Sequence, residues 1–215
     1  MAGVVALVDY GSGNLRSAEK ALLRAAAGLV HPPAIVTTDD PDAIAAADAV
    51  VLPGVGAFSA CRQALTARAG VTEAIEAAAR GRGAPFLGIC VGMQLMATRG
   101  LEFGDTPGLD WIAGDIARLT PEGVRNKVPH VGWNAVDYRP DAALFAGLPG
   151  GVDMYFTHSF AFSARALADV TAWTDHGGPV AAAVTRGNLA GVQFHPEKSQ
   201  AAGLALLANF LEWRP

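Results

Sequence analysis

Cys90 stands where a thiol can become a nucleophile. It lies between an apolar run that reads as a buried strand, Phe86 to Ile89, and a helical stretch, Val91 to Ala97, with Gly88 and Gly92 two residues away on either side. That is the nucleophile-elbow arrangement with sulfur in place of oxygen. Glycines at those two places let strand and helix cross closely, through a tight turn that pushes the side chain out above the sheet. A helix N-terminus beneath a thiol favours the thiolate, the form that attacks a carbonyl carbon. The Val91 amide, one of the helix's free donors, points where an oxyanion would form. A cysteine taken alone is more often a small buried hydrophobe. Cys61, inside Phe58 to Leu65 with no turn and no glycine partners, is read in that way, as helix packing.

A thiolate that cleaves an amide needs an acid/base. Of the five histidines, His31, His130, His158, His176 and His195, only His195 brings its own orienter, in Val192-Gln193-Phe194-His195-Pro196-Glu197. In extended chain, residues 195 and 197 share one side, and Pro196 biases its predecessor towards that conformation. Glu197 can then accept a hydrogen bond from one imidazole nitrogen and leave the other for the thiol. By itself a His-x-Glu tripeptide is an ordinary strand-end pair or part of a metal site. No His/Cys/Asp/Glu cluster at a recognisable spacing supplies further ligands, so no metal and no cofactor is expected.

Two glycine turns follow strands. Pro53-Gly54-Val55-Gly56 can expose successive N–H groups as a nest, giving a second oxyanion donor from Gly54 or Val55 opposite Val91; it is equally an ordinary strand exit. Tyr10-Gly11-Ser12-Gly13-Asn14 joins a strand to a helix, but Arg16 stands where a phosphate-binding fingerprint needs its third glycine. A structural or partner-contacting role is preferred there.

The elements that must position these residues alternate in the first half. Val4 to Val8 reads as a strand, Leu15 to Ala27 as a helix, Ala34 to Thr37 as a strand, and a helix capped by Asp40 opens at Pro41. Ala49 to Leu52 is the next strand, then come helices near Ala57 to Ala67 and Val71 to Arg80, and the strand Pro85 to Ile89. From about Gly114 the candidates are strands in succession: Asp115 to Leu119, Val131 to Tyr138, Val152 to Thr157, Val170 to Thr174, Val180 to Thr185 and Leu189 to Phe194. That half reads as a meander, closed by an amphipathic helix from Gln200 to Trp213. Such alternation means an α/β fold with a parallel sheet covered on both faces. No repeat or linker divides residues 1–215, so one domain is expected.

Composition excludes other classes. With 215 residues, 51% hydrophobic, 17% charged and a net charge of -4, the chain can bury a large core but has no basic surplus for tracking nucleic acid. Met1 to Val8 is apolar without a basic leader and meets Asp9 at once, which fits a first strand rather than a signal peptide. No apolar segment reaches the roughly 18 to 20 residues of a membrane helix. A cytoplasmic protein with reduced thiols is expected.

Together these stretches resemble the class I, triad-type glutamine amidotransferases. Gly88-Ile89-Cys90-Val91-Gly92-Met93-Gln94-Leu95 and His195-Pro196-Glu197 are similar to the marks of the whole class. Asp9-Tyr10-Gly11-Ser12-Gly13-Asn14 and Pro129-His130-Val131-Gly132-Trp133-Asn134 look like one subfamily, the glutaminase subunits of imidazole glycerol phosphate synthases, and Tyr155-Phe156-Thr157-His158-Ser159-Phe160 is a further mark of the resemblance. The resemblance covers nearly the whole chain. It implies a three-layer α/β fold with a mostly parallel central sheet, flanking helices and antiparallel strands in the C-terminal half. It also implies hydrolysis of L-glutamine to glutamate and ammonia through a cysteinyl thioester. The ammonia would pass to a (β/α)8-barrel cyclase partner in a heterodimer, for imidazole glycerol phosphate and AICAR formation in histidine biosynthesis. By the same resemblance Gln94 and Glu102 would hold the substrate's amino acid end, with Ser159 and Phe160 touching it through their backbone. Asn14, Trp133, Tyr155 and Lys198 would face the partner. Phe160 stands where tyrosine is usual, so a hydroxyl role is lost. Other readings are a glutaminase for anthranilate or guanylate synthesis, or a scaffold or thiol redox protein on the same fold.

Overall fold

A computed structural model describes residues 3–122 and 127–215 of the chain. Its first half alternates as the sequence pattern requires: β1 Val4–Val8, α1 Leu15–Ala26, β2 Ala34–Thr38, α2 Pro41–Ala46, β3 Ala49–Gly54, α3 Phe58–Ala67, α4 Val71–Glu76 and β4 Phe86–Cys90. The start of α2 shows why local chemistry suffices. Asp40 accepts a hydrogen bond from the Asp42 amide at 3.1 Å, and Pro41 takes the first helical position, where a missing N–H costs nothing. Beyond Glu76 the helix continues as a wider π turn, Ala77–Gly81.

After β4 come α5 Val91–Gln94 and two short strands, β5 Arg99–Gly100 and β6 Thr106–Pro107. The remaining elements are β7 Gly114–Arg118, β8 His130–Tyr138, β9 Val152–His158, β10 Phe160–Ala164, β11 Val170–Asp175, β12 Pro179–Arg186, β13 Leu189–Val192 and α6 Gln200–Glu212. Among the described residues the strands form a nine-stranded sheet in the order β2-β1-β3-β4-β13-β12-β11-β8-β9 and a four-stranded sheet in the order β10-β7-β5-β6. The large sheet is parallel from β2 to β13 and antiparallel from β13 to β9. Helix α1 packs with α6, and α2 with α4, as the outer layers of an α/β/α arrangement. The core between them is aliphatic and aromatic, with Leu7, Leu22, Val51, Leu52, Phe86, Leu87, Phe194 and Phe210 buried.

Two expectations change. The C-terminal strands do not make one meander: β7 leaves the main sheet and pairs antiparallel with β10, a strand the sequence pattern missed. The helix expected over Val91 to Ala97 is a single turn ending at Gln94. Beyond it the Met96 and Ala97 amides reach back only three residues, to Met93 and Gln94, the Thr98 amide donates to the Gly114 carbonyl, and the carbonyls of Leu95 to Thr98 accept from amides of the 108–112 loop. A backbone that serves the neighbouring loop cannot also propagate a helix. No helix among the described residues is long and apolar enough to cross a membrane.

Candidate active site

Cys90 ends β4 and precedes α5 with φ +55° and ψ −111°, a conformation an L-residue rarely adopts. Strain of this kind, of order 1–3 kcal/mol, persists only when the surroundings overdetermine it. Here the glycines do so. A Cβ on Gly92 would lie 1.8 Å from the Leu52 carbonyl oxygen, and one on Gly88 would lie 2.5 Å from the Gly92 oxygen. The turn is thereby pressed onto β3 and β4, and the parallel register sets Gly54 directly beside Cys90. The site opens at the carboxyl ends of parallel strands, where open α/β sheets place their ligands.

His195 follows β13, and its backbone amide donates to the Tyr155 carbonyl at 2.8 Å. Nδ1 of the ring lies 2.8 Å from Glu197 Oε1, with both side chains buried. Nε2 is buried and makes no well-formed hydrogen bond within the protein. Burial opposes the charge of this imidazole, yet the Cys90 sulfur and the Glu197 carboxylate together overcome burial and raise it to about 9. In such pairs the hydrogen bond between thiol and imidazole is commonly long or poorly aligned before substrate arrives.

Cys90 and His195 open on a cleft of about 320 Å³. Val55, Val91, Gln94, Glu102, Ser159 and Phe160 line it too, so most residues singled out from the sequence share one cleft. Gly54 does not; it lies below, by a minute cavity it shares with Asn14 and Glu197, and Gly56 lines the cleft instead. Glu102 has one oxygen committed, because Oε2 accepts from the Phe58 amide at 2.8 Å and caps α3. Trp133, Tyr155 and Lys198 gather apart from the cleft, with the Trp133 and Tyr155 rings edge to face at 5.9 Å and Lys198 Nζ 5.5 Å from the Tyr155 ring centre. A larger groove of about 790 Å³ between β7, β10 and β12 holds none of the predicted residues. Volume is no guide to chemistry here.

The structure adds residues that spacing did not reveal. Cys61 is buried in α3 as expected, but its thiol also donates to the Val55 carbonyl at 3.3 Å, and the Ser12 hydroxyl donates to the same oxygen at 3.0 Å. Burial pushes the Cys61 thiol up, which keeps it a donor. Together they fix the peptide that follows Val55. On the other wall His158 Nδ1 lies 2.9 Å from the Phe160 carbonyl, and His158 Nε2 lies 3.0 Å from His130 Nδ1. A carbonyl only accepts, so His158 carries its proton on Nδ1 and accepts at Nε2, and His130 must donate from Nδ1. His130 Nε2 then accepts from the Asn134 amide at 3.2 Å. The chain is satisfied with both rings neutral. Burial first, then neighbouring histidines, lower His130 to about 3; burial likewise lowers His158 to about 4. Among the described residues no group of three or more His, Cys, Asp or Glu side chains could hold a metal ion.

A strained cysteine at a strand-to-helix turn, a carboxylate-bound imidazole and a shared cleft are the ground for comparison with known proteins. The family model for class-I glutamine amidotransferases matches residues 6–213. The chain belongs to the class I glutamine amidotransferase family. It is 61% identical over 211 residues to imidazole glycerol phosphate synthase subunit HisH of Caulobacter vibrioides, covering 98% of this chain and 99% of that protein. Against HisH of Rhizobium meliloti identity is 52% over 214 residues, with the same coverage. Among solved structures, one glutamine amidotransferase superposes with a TM-score of 0.70 at 18% identity, covering 98% of both chains. Another, from Thermotoga maritima, gives 0.59 at 17%, covering 92% of this chain and 77% of its own. These two speak for the amidotransferase fold alone.

Proposed function

We propose that this amidotransferase is the glutaminase subunit of an imidazole glycerol phosphate synthase. It hydrolyses L-glutamine to glutamate and ammonia for histidine biosynthesis, acting as one domain in the cytoplasm. Full-length identity to HisH proteins supports the subunit assignment. The single observation that carries the chemistry is the 2.8 Å contact of His195 Nδ1 with Glu197 beside a cysteine forced to φ +55°.

The Cys90 thiolate attacks the side-chain carbonyl carbon of glutamine, forming a C–S bond and a tetrahedral oxyanion. The Val91 amide and the 55–56 turn, which lines the cleft, donate to that oxygen, each well-placed donor contributing about 3 kcal/mol. His195, protonated and held by Glu197, gives its proton to the nitrogen as the C–N bond breaks, and ammonia leaves. Neutral His195 then takes a proton from water, whose oxygen attacks the thioester. A second oxyanion collapses to glutamate and restores the thiolate. Gln94, Glu102, Ser159 and Phe160 hold the amino acid end of the substrate. Ammonia passes to a (β/α)8-barrel cyclase that docks on the face carrying Asn14, Trp133, Tyr155 and Lys198.

The test is Cys90→Ala in the complex with the cyclase. Product formation from glutamine should fall to background, while formation from added ammonium salt stays within about twofold of wild type, because the cyclase consumes ammonia of any source. Glutamine-dependent turnover that survives the substitution sinks the assignment of the nucleophile.

A further inference from the structure

Gln193 is completely buried, in the residue that follows β13. Strand β13 runs parallel to β4 with Val192 opposite Ile89, so the next position on each strand sets Gln193 opposite Cys90. Its Nε2 lies 3.8 Å from the Cys90 sulfur. Its Oε1 lies 3.0 Å from Nε2 of Gln94, and that same Gln94 nitrogen lies 3.0 Å from the Phe160 carbonyl oxygen.

These contacts fix the direction of both amides. The Phe160 oxygen can only accept, so the atom of Gln94 that faces it must be the nitrogen. The remaining hydrogen of that nitrogen goes to Gln193, whose facing atom must therefore be its oxygen. What Gln193 presents to the sulfur is then its NH2 group, a donor. Gln193 does not line the cleft, so it approaches the thiol from behind and touches no substrate.

A buried glutamine needs only satisfied hydrogen bonds, and packing alone would explain one that bonded backbone groups. Here one end of the amide is spent on a nucleophile. A donor aimed at sulfur gains strength when the sulfur is ionised, because hydrogen bonds to charged groups are stronger than neutral ones. We infer that Gln193 is a catalytic residue of the glutaminase reaction, donating a hydrogen bond to the Cys90 thiolate, in a direction set through Gln94 by the Phe160 carbonyl. The relay also ties the wall that holds the substrate's amino acid end to the attacking atom. The inference rests on the reading of Cys90 as the nucleophile.

The experiment follows alkylation of Cys90 by iodoacetamide across pH in the full-length chain. The modified peptide is read by mass spectrometry, so that Cys61 does not contribute. Gln193→Glu keeps shape and the acceptor for Gln94 but turns an oxygen towards the sulfur; Gln193→Leu removes both groups. The rate at neutral pH should fall about tenfold in Gln193→Leu and further in Gln193→Glu, the profile moving to higher pH in both, as expected for loss of one hydrogen bond to a charged group. A residue that only packs would leave the profile in place. In the wild-type chain, which raises no question of folding, the Gln193 side-chain amide resonances should move with the same pH midpoint as Cys90 alkylation. Wild-type alkylation profiles in both variants, or amide resonances indifferent to that midpoint, overturn the inference. If instead Cys90→Ser retains glutamine hydrolysis, it is the assignment of the nucleophile that fails.

Discussion

Two sets of histidines flank the cleft, equally buried and driven in opposite directions. His195 is raised to about 9, whereas His130 and His158 are lowered to about 3 and about 4. Solvent exclusion does not separate them, since 2%, 4% and 6% of their surfaces are exposed. Their partners do. His195 faces a carboxylate and a sulfur, both able to carry negative charge; His158 faces a carbonyl and another imidazole, and His130 faces imidazoles and an amide. Burial makes a charge expensive, and the neighbours decide whether that cost is met. The His195 side of the cleft thus favours a charged ring, and the opposite wall favours neutral ones; on the proposed mechanism the first is where a proton moves.

The largest expected effect breaks the His195 side. Glu197→Gln keeps the shape and an acceptor for Nδ1 but removes the charge. Glutamine hydrolysis should fall about 10²- to 10⁴-fold, the range for a lost acid/base function. The same substitution should change stability at alkaline pH. His195 is raised in the folded chain above its unfolded value near 6.5. Its contribution is therefore complete below pH 6.5 and is lost as pH rises through about 9. Thermal melts of wild type between pH 6.5 and 9.5 should show this decline, and Glu197→Gln should flatten it. Unchanged turnover, or an unchanged alkaline limb, would show that the carboxylate does not distinguish the two sets.

How much of this was legible depends on how far apart the cooperating residues lie. The elbow was readable because Gly88, Cys90 and Gly92 are neighbours in sequence, and the glycines' contacts follow from one tight turn. His195 and Glu197 are two residues apart, and their 2.8 Å contact needs only an extended backbone. The relay from Phe160 through Gln94 and Gln193 joins residues 66 and 99 positions apart, and no local pattern announces it. His130 and His158 meet only because β8 and β9 pair in one register. Strand β10 escaped detection because its partner, β7, lies some forty residues upstream, and α5 was read as too long because the loop that stops it is distant from its own sequence signals. Cys61 was placed correctly in a helix, but its thiol's bond to Val55 depends on how α3 sits against the turn.

The neutral wall predicts the acid limb. His130 and His158 have folded values below their unfolded ones, so the unfolded chain binds more protons as pH falls, and stability is lost from about pH 6.5 downwards until the folded rings protonate near 3 to 4. His130→Gln supplies a non-titrating amide that can still donate to His158 Nε2. Urea unfolding between pH 6.5 and 4 should lose stability less steeply in this variant than in wild type, while the alkaline limb stays as it was. An equally steep acid limb would mean that these rings titrate together in both states, and the contrast with His195 would fail.

The smallest effect asks whether neighbouring charge adds to burial in that wall. The His176 ring stacks on His130 with centroids 4.0 Å apart and planes 21° from parallel, and its Nε2 lies 2.8 Å from the Lys127 carbonyl. Positive charge on His176 opposes protonation of His130, behind burial and His158 in size. His176→Phe keeps a ring in the stack and removes that charge, at the loss of one partly exposed hydrogen bond. Because His176 is only half-buried, solvent screens its charge, and the change should be about 0.5 kcal/mol, in the range of exposed charge pairs. The His130 titration, followed by the NMR shifts of its ring protons, should move slightly towards neutral pH in His176→Phe. A movement as large as that from exposing the ring would put charge, not burial, in control of the neutral wall; no movement would leave burial and His158 as its whole cause.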